Sequence, residues 1–176
     1  MTTSAPTITA DDVRRILNLQ PHPEGGAFAE IFRSDETLST GLLPDRYDGP
    51  RSVSTAIYYL LTPGDMSALH RIRSDEIFHF YLGDPVEQMW LMPDGSHRML
   101  TIGTDLIAGA RPQVVVPRGV WQGARLRAGG RFALLGCTVA PGFDFADFEM
   151  GGRAGLIAQW PDAADMITEL TYPEQE

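Results

Sequence analysis

The sequence has 176 residues and a single cysteine, Cys137. One cysteine cannot form an intramolecular disulfide bond, which is typical of proteins from the reducing cytosol. Long hydrophobic runs are also missing, since the longest apolar stretch, residues 56–61, is far shorter than the roughly 20 residues of a membrane-spanning helix. Residues 1–10 have neither a basic start nor an apolar segment, so they predict no signal peptide. These absences predict a cytoplasmic protein without a transmembrane helix.

Basic residues are scarce: 14 Lys and Arg stand against 23 Asp and Glu, and the formal net charge is −9. Phosphate backbones and anionic lipid surfaces are bound by basic patches, so this balance argues against nucleic acid and membranes as partners. No P-loop, dinucleotide fingerprint or Ser-His-Asp elbow is present either. The hydrophobic share of 43% is that of an ordinary globular protein. We expect one domain over residues 1–176.

Short segments rich in aromatic and β-branched residues fill the middle of the chain, and turn residues separate most of them. The predicted strands are Ala27–Arg33, Val53–Leu61, Ser67–Arg73, Ile77–Leu82, Val86–Met92, Arg98–Ile102, Gln113–Val116, Val120–Arg127 and Phe132–Val139. Such a series without intervening helices predicts an all-β antiparallel sandwich or barrel.

Two amphipathic helices are predicted to flank these strands. Thr9 is suited to cap a helix over residues 10–19, and Pro161 is suited to begin a helix over about 161–170. Residues 93–95 and 128–130 have the composition of hairpin turns. The linker 34–51 is long for a compact domain, which predicts either a functional lid or a mobile loop.

Two segments have the spacing of known sequence motifs. The first has the pattern G-x5-H-x5-E-x6-G, carried by Gly64, His70, Glu76 and Gly83. The second is the sequence Pro-Arg-Gly-Val-Trp-Gln over residues 117–122. Together they resemble the two motifs of the cupin superfamily, G-x5-H-x-H-x3–4-E-x6-G and P-x-G-x-x-H, including the distance between them.

Three further segments, residues 22–26, 51–58 and 140–149, are similar to the single-domain RmlC-like branch of cupins, whose activity is mostly unassigned. The resemblance implies a double-stranded β-helix, or jelly-roll barrel, with its core over about residues 22–150. It also implies a small-molecule site inside the mouth of the barrel, and commonly a homodimer. It does not imply a reaction, because cupins include epimerases, isomerases, dioxygenases, decarboxylases and non-catalytic binders.

The sequence departs from the resemblance at the metal ligands. Metal-binding cupins generally use three histidines and one glutamate, whereas here Ile72 occupies the second histidine position and Gln122 occupies the last. His70 and Glu76 remain, and a neutral amide is a weak donor for a transition metal. One hypothesis is therefore a dioxygenase-like enzyme that holds Fe, Mn, Ni or Zn with His70, Glu76, Gln122 and water.

The first hypothesis, however, is acid–base catalysis without a metal. A carboxylate and an imidazole in an apolar barrel can transfer protons, so we expect His70 and Glu76 to be the catalytic pair of an epimerase- or isomerase-like enzyme. RmlC-like epimerases pair a histidine base with a tyrosine acid, and the resemblance leaves Tyr58, Tyr59 and Tyr81 open for that role. A third hypothesis is a ligand-binding or structural dimer without catalysis.

Other side chains are candidate ligand contacts. They are Arg51, Tyr58, Phe78, His79, Phe80, Trp121 and Gln122. Strand alternation places Phe78 and Phe80 on the face of Glu76 and His79 on the opposite face, where a structural role is the competing interpretation. A clamp for a substrate anion and a partner for one of the acids are both open for Arg51. His22 and Glu24 can either line the pocket through the first strand or form a tight turn with a solvated acid, and we prefer the turn. Cys137 is interpreted as a buried hydrophobe.

Overall fold

The structure is a computed structural model that describes residues 8–173, so most of the segment interpreted as lacking a signal peptide lies outside the described residues. Antiparallel strands dominate the fold. They are β1 (Gln20–Pro21), β2 (Ala27–Arg33), β3 (Thr37–Leu38), β4 (Arg51–Ser52), β5 (Thr55–Leu61), β6 (Met66–Arg71), β7 (Asp75–Gly83), β8 (Val86–Leu91), β9 (His97–Ile102), β10 (Gln113–Val116), β11 (Trp121–Leu126), β12 (Ala133–Ala140) and β13 (Glu149–Met150). The sequence located the nine long strands, two of them, β2 and β10, with the observed bounds.

The strands form a jelly-roll β-sandwich, as predicted. One sheet has six strands in the order β1-β2-β5-β12-β7-β10, and the other has five in the order β13-β6-β11-β8-β9. Neighbouring strands in each sheet are often distant in the chain, as expected for a jelly roll. The strands β3 and β4 form a small separate pair, so the linker over residues 34–51 contains local structure, including a 3-10 turn over Thr40–Leu42.

Short helices cover the sandwich on both outer faces. Helix α1 (Ala10–Ile16) has the predicted cap, since Thr9 and Asp12 form a reciprocal capping box. It ends earlier than predicted, because Leu17 is its C-cap and Asn18 takes a φ of 53°. At the other end, α2 (Arg153–Gln159) was not predicted, and the expected helix is a 3-10 turn over Pro161–Ala163 followed by α3 (Ala164–Glu169). No helix within residues 8–173 is long and apolar enough to cross a membrane.

The two predicted hairpin turns have different outcomes. Residues 93–95 do join the paired strands β8 and β9, and Met92 N–H donates to the Ser96 carbonyl at 2.8 Å. Residues 128–130 form a turn as well, but it connects β11 in one sheet to β12 in the other. That turn therefore crosses between the layers, and its prediction as a hairpin was wrong.

The core lies between the two sheets and occupies part of the barrel interior. Its main cluster includes Tyr59, Phe78, Trp90 and Leu135, each less than 8% exposed. A second cluster lies under α2 and α3, and a third lies under α1. The remaining part of the interior is not filled by apolar side chains, and this part contains the candidate site.

Candidate functional site

A cavity of about 230 Å³ lies inside the barrel next to the main core cluster. Its walls are mostly apolar, and its polar side chains come from the six-stranded sheet, from β6 and from two loops. It is lined by His22, Glu24, Phe28, Glu30, Arg33, Thr55, Ile57, His70, Ile72, Glu76, Cys137, Val139, Phe143, Asp144 and Phe145. The two side chains expected to form the catalytic pair, His70 and Glu76, thus line one cavity.

A tight turn over residues 22–26 places two polar side chains inside the cavity. Two backbone hydrogen bonds, at 3.0 and 3.1 Å, close the turn. Gly25 has a φ of 107°, and a Cβ there would collide with the Met66 carbonyl oxygen, so the turn needs glycine. The Tyr59 hydroxyl donates to the Gly25 carbonyl at 2.8 Å. Glu24 is therefore only 7% exposed, and its interpretation as a solvated acid was wrong.

Glu24 is the ionic partner of His70. Its Oε2 lies 3.4 Å from Nε2 of His70, and its Oε1 accepts a 2.8 Å hydrogen bond from the Ser67 hydroxyl. Nδ1 of His70 lies 2.7 Å from the Ala68 carbonyl, which can only accept, so Nδ1 carries a hydrogen. Nε2 of His70 is then the ring nitrogen that faces the carboxyl group of Glu24.

A β-bulge makes this arrangement possible. Along β6 and β11, Gln122 pairs with His70 while Ala124 pairs with Ser67, so β6 has one extra residue. In a regular strand, residues three apart point to opposite faces. Because of the bulge, Ser67 and His70 both reach Glu24. A similar register shift in β2 brings Glu30 and Arg33 together at the rim, where two hydrogen bonds of 2.7 and 3.0 Å join them.

His22 completes the polar group as a neutral imidazole. Its Nδ1 accepts the backbone N–H of Glu24 at 3.2 Å, so this nitrogen has no hydrogen. Burial lowers the pKa of His22, and the opposing attraction of Glu24 is the smaller effect. Phe28 packs edge-on against the ring, with 4.6 Å between the centroids. His22 therefore presents its Nε2 as a hydrogen-bond donor.

Glu76 lies at the end of a one-way chain of hydrogen bonds. The indole N–H of Trp90 can only donate, and it donates to Oε1 of Gln88 at 3.1 Å. The amide nitrogen of Gln88 then donates to Oε1 of Gln122 at 3.0 Å, and the amide nitrogen of Gln122 donates to Oε2 of Glu76. The donor-only indole fixes the orientation of both amides.

Burial raises the pKa of Glu76, while His70 and the amide of Gln122 act in the opposite direction. Cys137 also lines the cavity, and burial raises the pKa of its thiol. Glu76 is therefore the acid of this cavity that holds its proton more strongly than an exposed carboxyl group.

The donors present do not fit a bound metal ion. The only good metal donor of Gln122 is its amide oxygen, and that atom accepts the hydrogen bond of Gln88. Ile72 lines the cavity at the second histidine position and offers no donor. Within residues 8–173, no group of three or more His, Cys, Asp and Glu side chains is arranged to hold an ion. The set His70, Glu76 and Gln122 thus lacks the third ligand that the dioxygenase-like hypothesis requires.

Several candidate ligand contacts lie outside the cavity. Tyr58 and Tyr81 lie together on the outer face of the six-stranded sheet, with ring centroids 6.0 Å apart. On that face His79 is hydrogen-bonded to Thr138 at 3.1 Å. Trp121 packs under the C-terminal helices. These side chains alternate with the inward-facing ones along their strands and point to the outer faces of the sheets. The structure therefore does not bring them to the cavity.

The remaining candidates have structural partners. Arg51 makes two hydrogen bonds, of 2.6 and 2.7 Å, to buried Asp147, and these bonds raise the pKa of the guanidinium. Of the two interpretations of Arg51, the ion pair is the one observed. Phe78 and Phe80 face inward, as strand alternation predicted, but they pack in and against the apolar core. Tyr59 also faces inward, although its hydroxyl is held by Gly25, so none of the three tyrosines lines the cavity.

Sequence reasoning gave no site role to several lining residues. Phe28 and Arg33 were not singled out as contacts, and the preferred interpretation placed Glu24 in solvent. The available signal was the pair of adjacent glycines after Glu24. Both take a positive φ, and the tight turn that they form points the Glu24 side chain into the cavity. The register shift that brings Arg33 to the rim has no comparable signal in the sequence.

Comparison with known proteins gives one family. The profile of Cupin_5, described as Cupin superfamily (DUF985), matches residues 12–151. A Saccharomyces cerevisiae protein described as uncharacterized protein YML079W is 33% identical over 134 residues, which cover 72% of this chain and 67% of that protein.

Solved structures agree with this family. Protein SO0799 from Shewanella oneidensis is 35% identical with a TM-score of 0.84, covering 96% of this chain and 100% of that one. A hypothetical protein from Leishmania major is 31% identical with a TM-score of 0.85, covering 94% and 100%. A cupin-2 domain from Rhodospirillum rubrum, at 15% identity and a TM-score of 0.55 over 86% of this chain and 87% of its own, shows the fold alone.

Proposed function

This chain belongs to the Cupin_5 family of the cupin superfamily, and we propose that it is an isomerase- or epimerase-like enzyme. In this proposal a small polar metabolite binds in the barrel cavity, and His70, Glu24 and Glu76 move a proton on it without a metal. The observation that carries the proposal is the presence of two differently held proton sites, the His70–Glu24 pair and Glu76, in one largely apolar cavity.

The two sites are suited to opposite roles. Nε2 of His70 can accept a proton, and Glu24 at 3.4 Å stabilises the imidazolium that results. Glu76 has a raised pKa, so it retains a proton to higher pH and can donate it. An isomerisation needs a base that takes a proton from carbon and an acid that returns one. These groups supply both without a net change in protons.

The cavity limits the size of the ligand. Its volume of about 230 Å³ is below the roughly 300–1,000 Å³ of sites that take drug-sized ligands. Phe28, Ile57 and Phe143 supply apolar walls, while His22 supplies a donor. We therefore propose a small metabolite with polar groups at one end, such as a hydroxy-carbonyl compound or the reacting part of a sugar.

Hydrogen exchange on carbon tests the proposal directly, because it detects proton transfer whatever the product is. Small aldoses, ketoses and 2-keto acids are incubated with the protein in D₂O, and proton NMR follows deuterium entering at the carbon next to the carbonyl. We expect the wild type to label at least one compound, and His70→Ala to lower that rate by about 100-fold or more.

His79→Ala is the matched control, because it removes an imidazole from the other face of the sheet. Its labelling rate should equal that of the wild type. If a compound binds but none is labelled, catalysis is excluded and a ligand-binding protein remains. If nothing binds, the assignment of the cavity fails.

We further propose that the protein is a cytoplasmic homodimer. Exposed apolar side chains on the six-stranded sheet support a subunit contact: Ile31, Phe32 and Val115 are each about half exposed, at 51%, 51% and 52%. Sedimentation at micromolar concentration checks this, and a monomer there would contradict it.

A further inference from the structure

A groove of about 540 Å³ lies beside the cavity, and Ile72 lines both spaces. Four arginines line it: Arg46, Arg71, Arg73 and Arg118. Arg46 lies in the loop before β4 and Arg118 in the turn before β11. Arg71 is the last residue of β6, and Arg73 follows it by two residues. We call this region the arginine groove.

The charge of the arginine groove is opposite to that of the chain. The chain has a formal net charge of −9, whereas the four guanidinium groups of the groove face only two lining carboxylates, Asp147 and Glu149. Asp147 already accepts two hydrogen bonds from the buried Arg51, one from Nε and one from Nη2. Two acids that do not line the groove also pair with these arginines: Asp48 with Arg51 and Arg73, and Asp75 with Arg118. With Arg51 included, five arginines stand against four acids.

Arg46 carries a charge that no carboxylate of the described residues neutralises. Its Nε donates to the Arg73 carbonyl at 2.9 Å, and its guanidinium lies 4.8 Å from the centre of the Tyr47 ring. Arg118 is held weakly, since its Nη1 lies 3.7 Å from an oxygen of Asp75 that already accepts a 2.7 Å backbone hydrogen bond. These two guanidinium groups are available to a ligand.

The other two arginines are in exposed ion pairs. Arg71 pairs with Glu149 at 2.7 Å and Arg73 pairs with Asp48 at 3.1 Å, and the four side chains are 38–63% exposed. Exposed ion pairs are weak, so an anion with more charge can compete for these arginines. Arg71 is also stacked on Trp121, with its guanidinium carbon 4.5 Å from the ring centre. Stacking orients the guanidinium in advance and lowers the entropic cost of binding.

We propose that the arginine groove binds a phosphate-type anion, with a diphosphate fitting better than a single phosphate. The planar forks of arginine match the oxygens of phosphate two at a time. The volume of the groove and its four separated guanidinium groups exceed what one phosphate occupies. This site is independent of the proposed proton transfer, because it uses none of the groups that hold the proton.

Isothermal titration with sodium pyrophosphate and sodium orthophosphate, at constant low ionic strength, tests the proposal. We expect saturable binding of pyrophosphate at one site per chain, at least tenfold tighter than that of orthophosphate. The variant Arg46→Gln/Arg118→Gln should lose at least tenfold in affinity. The matched control is Arg98→Gln, an exposed arginine of β9 outside the groove, which should bind as the wild type does.

Arg118→Gln alone keeps the test valid if the double variant does not fold, because among residues 8–173 the guanidinium of Arg118 is ion-paired only with the exposed Asp75. Absence of saturable binding to the wild type overturns the proposal. An equal loss of affinity in Arg98→Gln also overturns it, since binding would then reflect general attraction to arginine. Tighter binding of orthophosphate than of pyrophosphate would restrict the site to a single phosphate and overturn the diphosphate assignment.

Discussion

The barrel interior has two regions of opposite character. The filled region contains the buried side chains of Phe78, Trp90 and Leu135, whereas the open region contains the cavity with His70 and Glu76. Both regions are formed by the same strands, since β7 contributes Glu76 to one and Phe78 to the other. Two inward-facing residues of one strand, only two positions apart, therefore belong to different environments: Phe78 to the packed core and Glu76 to the cavity.

The two regions are joined by the hydrogen bonds from Trp90 to Glu76. Trp90 belongs to the filled region, where its ring is packed. Because its indole N–H donates to Gln88, the amide of Gln88 must donate to Gln122, and the amide of Gln122 must donate to Glu76 in the open region. A buried polar group is stable only if its hydrogen bonds are made. Within residues 8–173, no buried side-chain nitrogen or oxygen is without a partner. The filled region thereby determines which atoms the site presents.

Truncating one phenylalanine in each region should give the largest difference in the free energy of unfolding. We expect Phe78→Ala to lower the free energy of unfolding by about 3–5 kcal/mol, because it leaves a void in a packed core. Phe28→Ala enlarges the existing cavity and removes contacts of a side chain that is only partly buried, so it should cost about half as much. Urea denaturation of both variants measures these costs.

Equal costs for Phe78→Ala and Phe28→Ala would show that the open region is packed as tightly as the filled one. The cavity would then not be a preformed binding site. Unchanged slopes of the urea transitions are the control that both variants still unfold in two states.

The hydrogen bond by which Trp90 connects the two regions can be removed by substituting Trp90. Trp90→Phe keeps most of the ring but leaves Oε1 of Gln88 without its donor, so we expect a cost of about 1–3 kcal/mol in the free energy of unfolding. The orientation of the two amides is then no longer fixed. The side-chain amide protons of Gln88 and Gln122, observed by NMR, should show slowed exchange with solvent in the wild type and faster exchange in the variant.

Phe78→Leu is the control for Trp90→Phe, because it perturbs the same cluster without touching a hydrogen bond. If it accelerates the same amide protons equally, the effect of Trp90→Phe is loosened packing. The proposed fixed orientation would then be refuted.

The sequence predicted the fold well because its signals are local. Strand-forming residues and turns alternate along the chain, and β2 and β10 were predicted with their observed ends. Helix α2 was missed, since Arg153–Gln159 contains glycine and no charged cap, and its one buried residue, Leu156, makes no periodic pattern. Tertiary packing against the second sheet stabilises it instead.

The site was predicted less completely because its geometry depends on irregular features. His70 and Glu76 follow from the motif spacing and do share a cavity. Glu24, however, reaches His70 only through a glycine turn and a bulge in β6. Strand alternation assumes a period of two, and one extra residue reverses every parity beyond it. The partner of His70 was therefore assigned to Glu76 rather than to Glu24.

The smallest expected effect is a dependence of stability on pH that belongs to the open region. Burial raises the pKa of Glu76 above its ordinary value of 4.5. Between these two pKa values the folded protein binds more protons than the unfolded chain, so stability falls as the pH rises through this window. Glu76→Gln cannot titrate and should not show this loss.

The unfolding free energy of Glu76→Gln minus that of the wild type should therefore increase as the pH rises from about pH 5. His22 has the opposite trend below its ordinary value of 6.5, but it is present in both proteins and cancels in the difference. Glu24, His70 and Cys137 face Glu76 and are unchanged as well. Urea denaturation across this range gives the difference directly. A constant difference would mean that Glu76 is as well solvated as an exposed carboxylate, and the open region would then offer no group that holds a proton to higher pH.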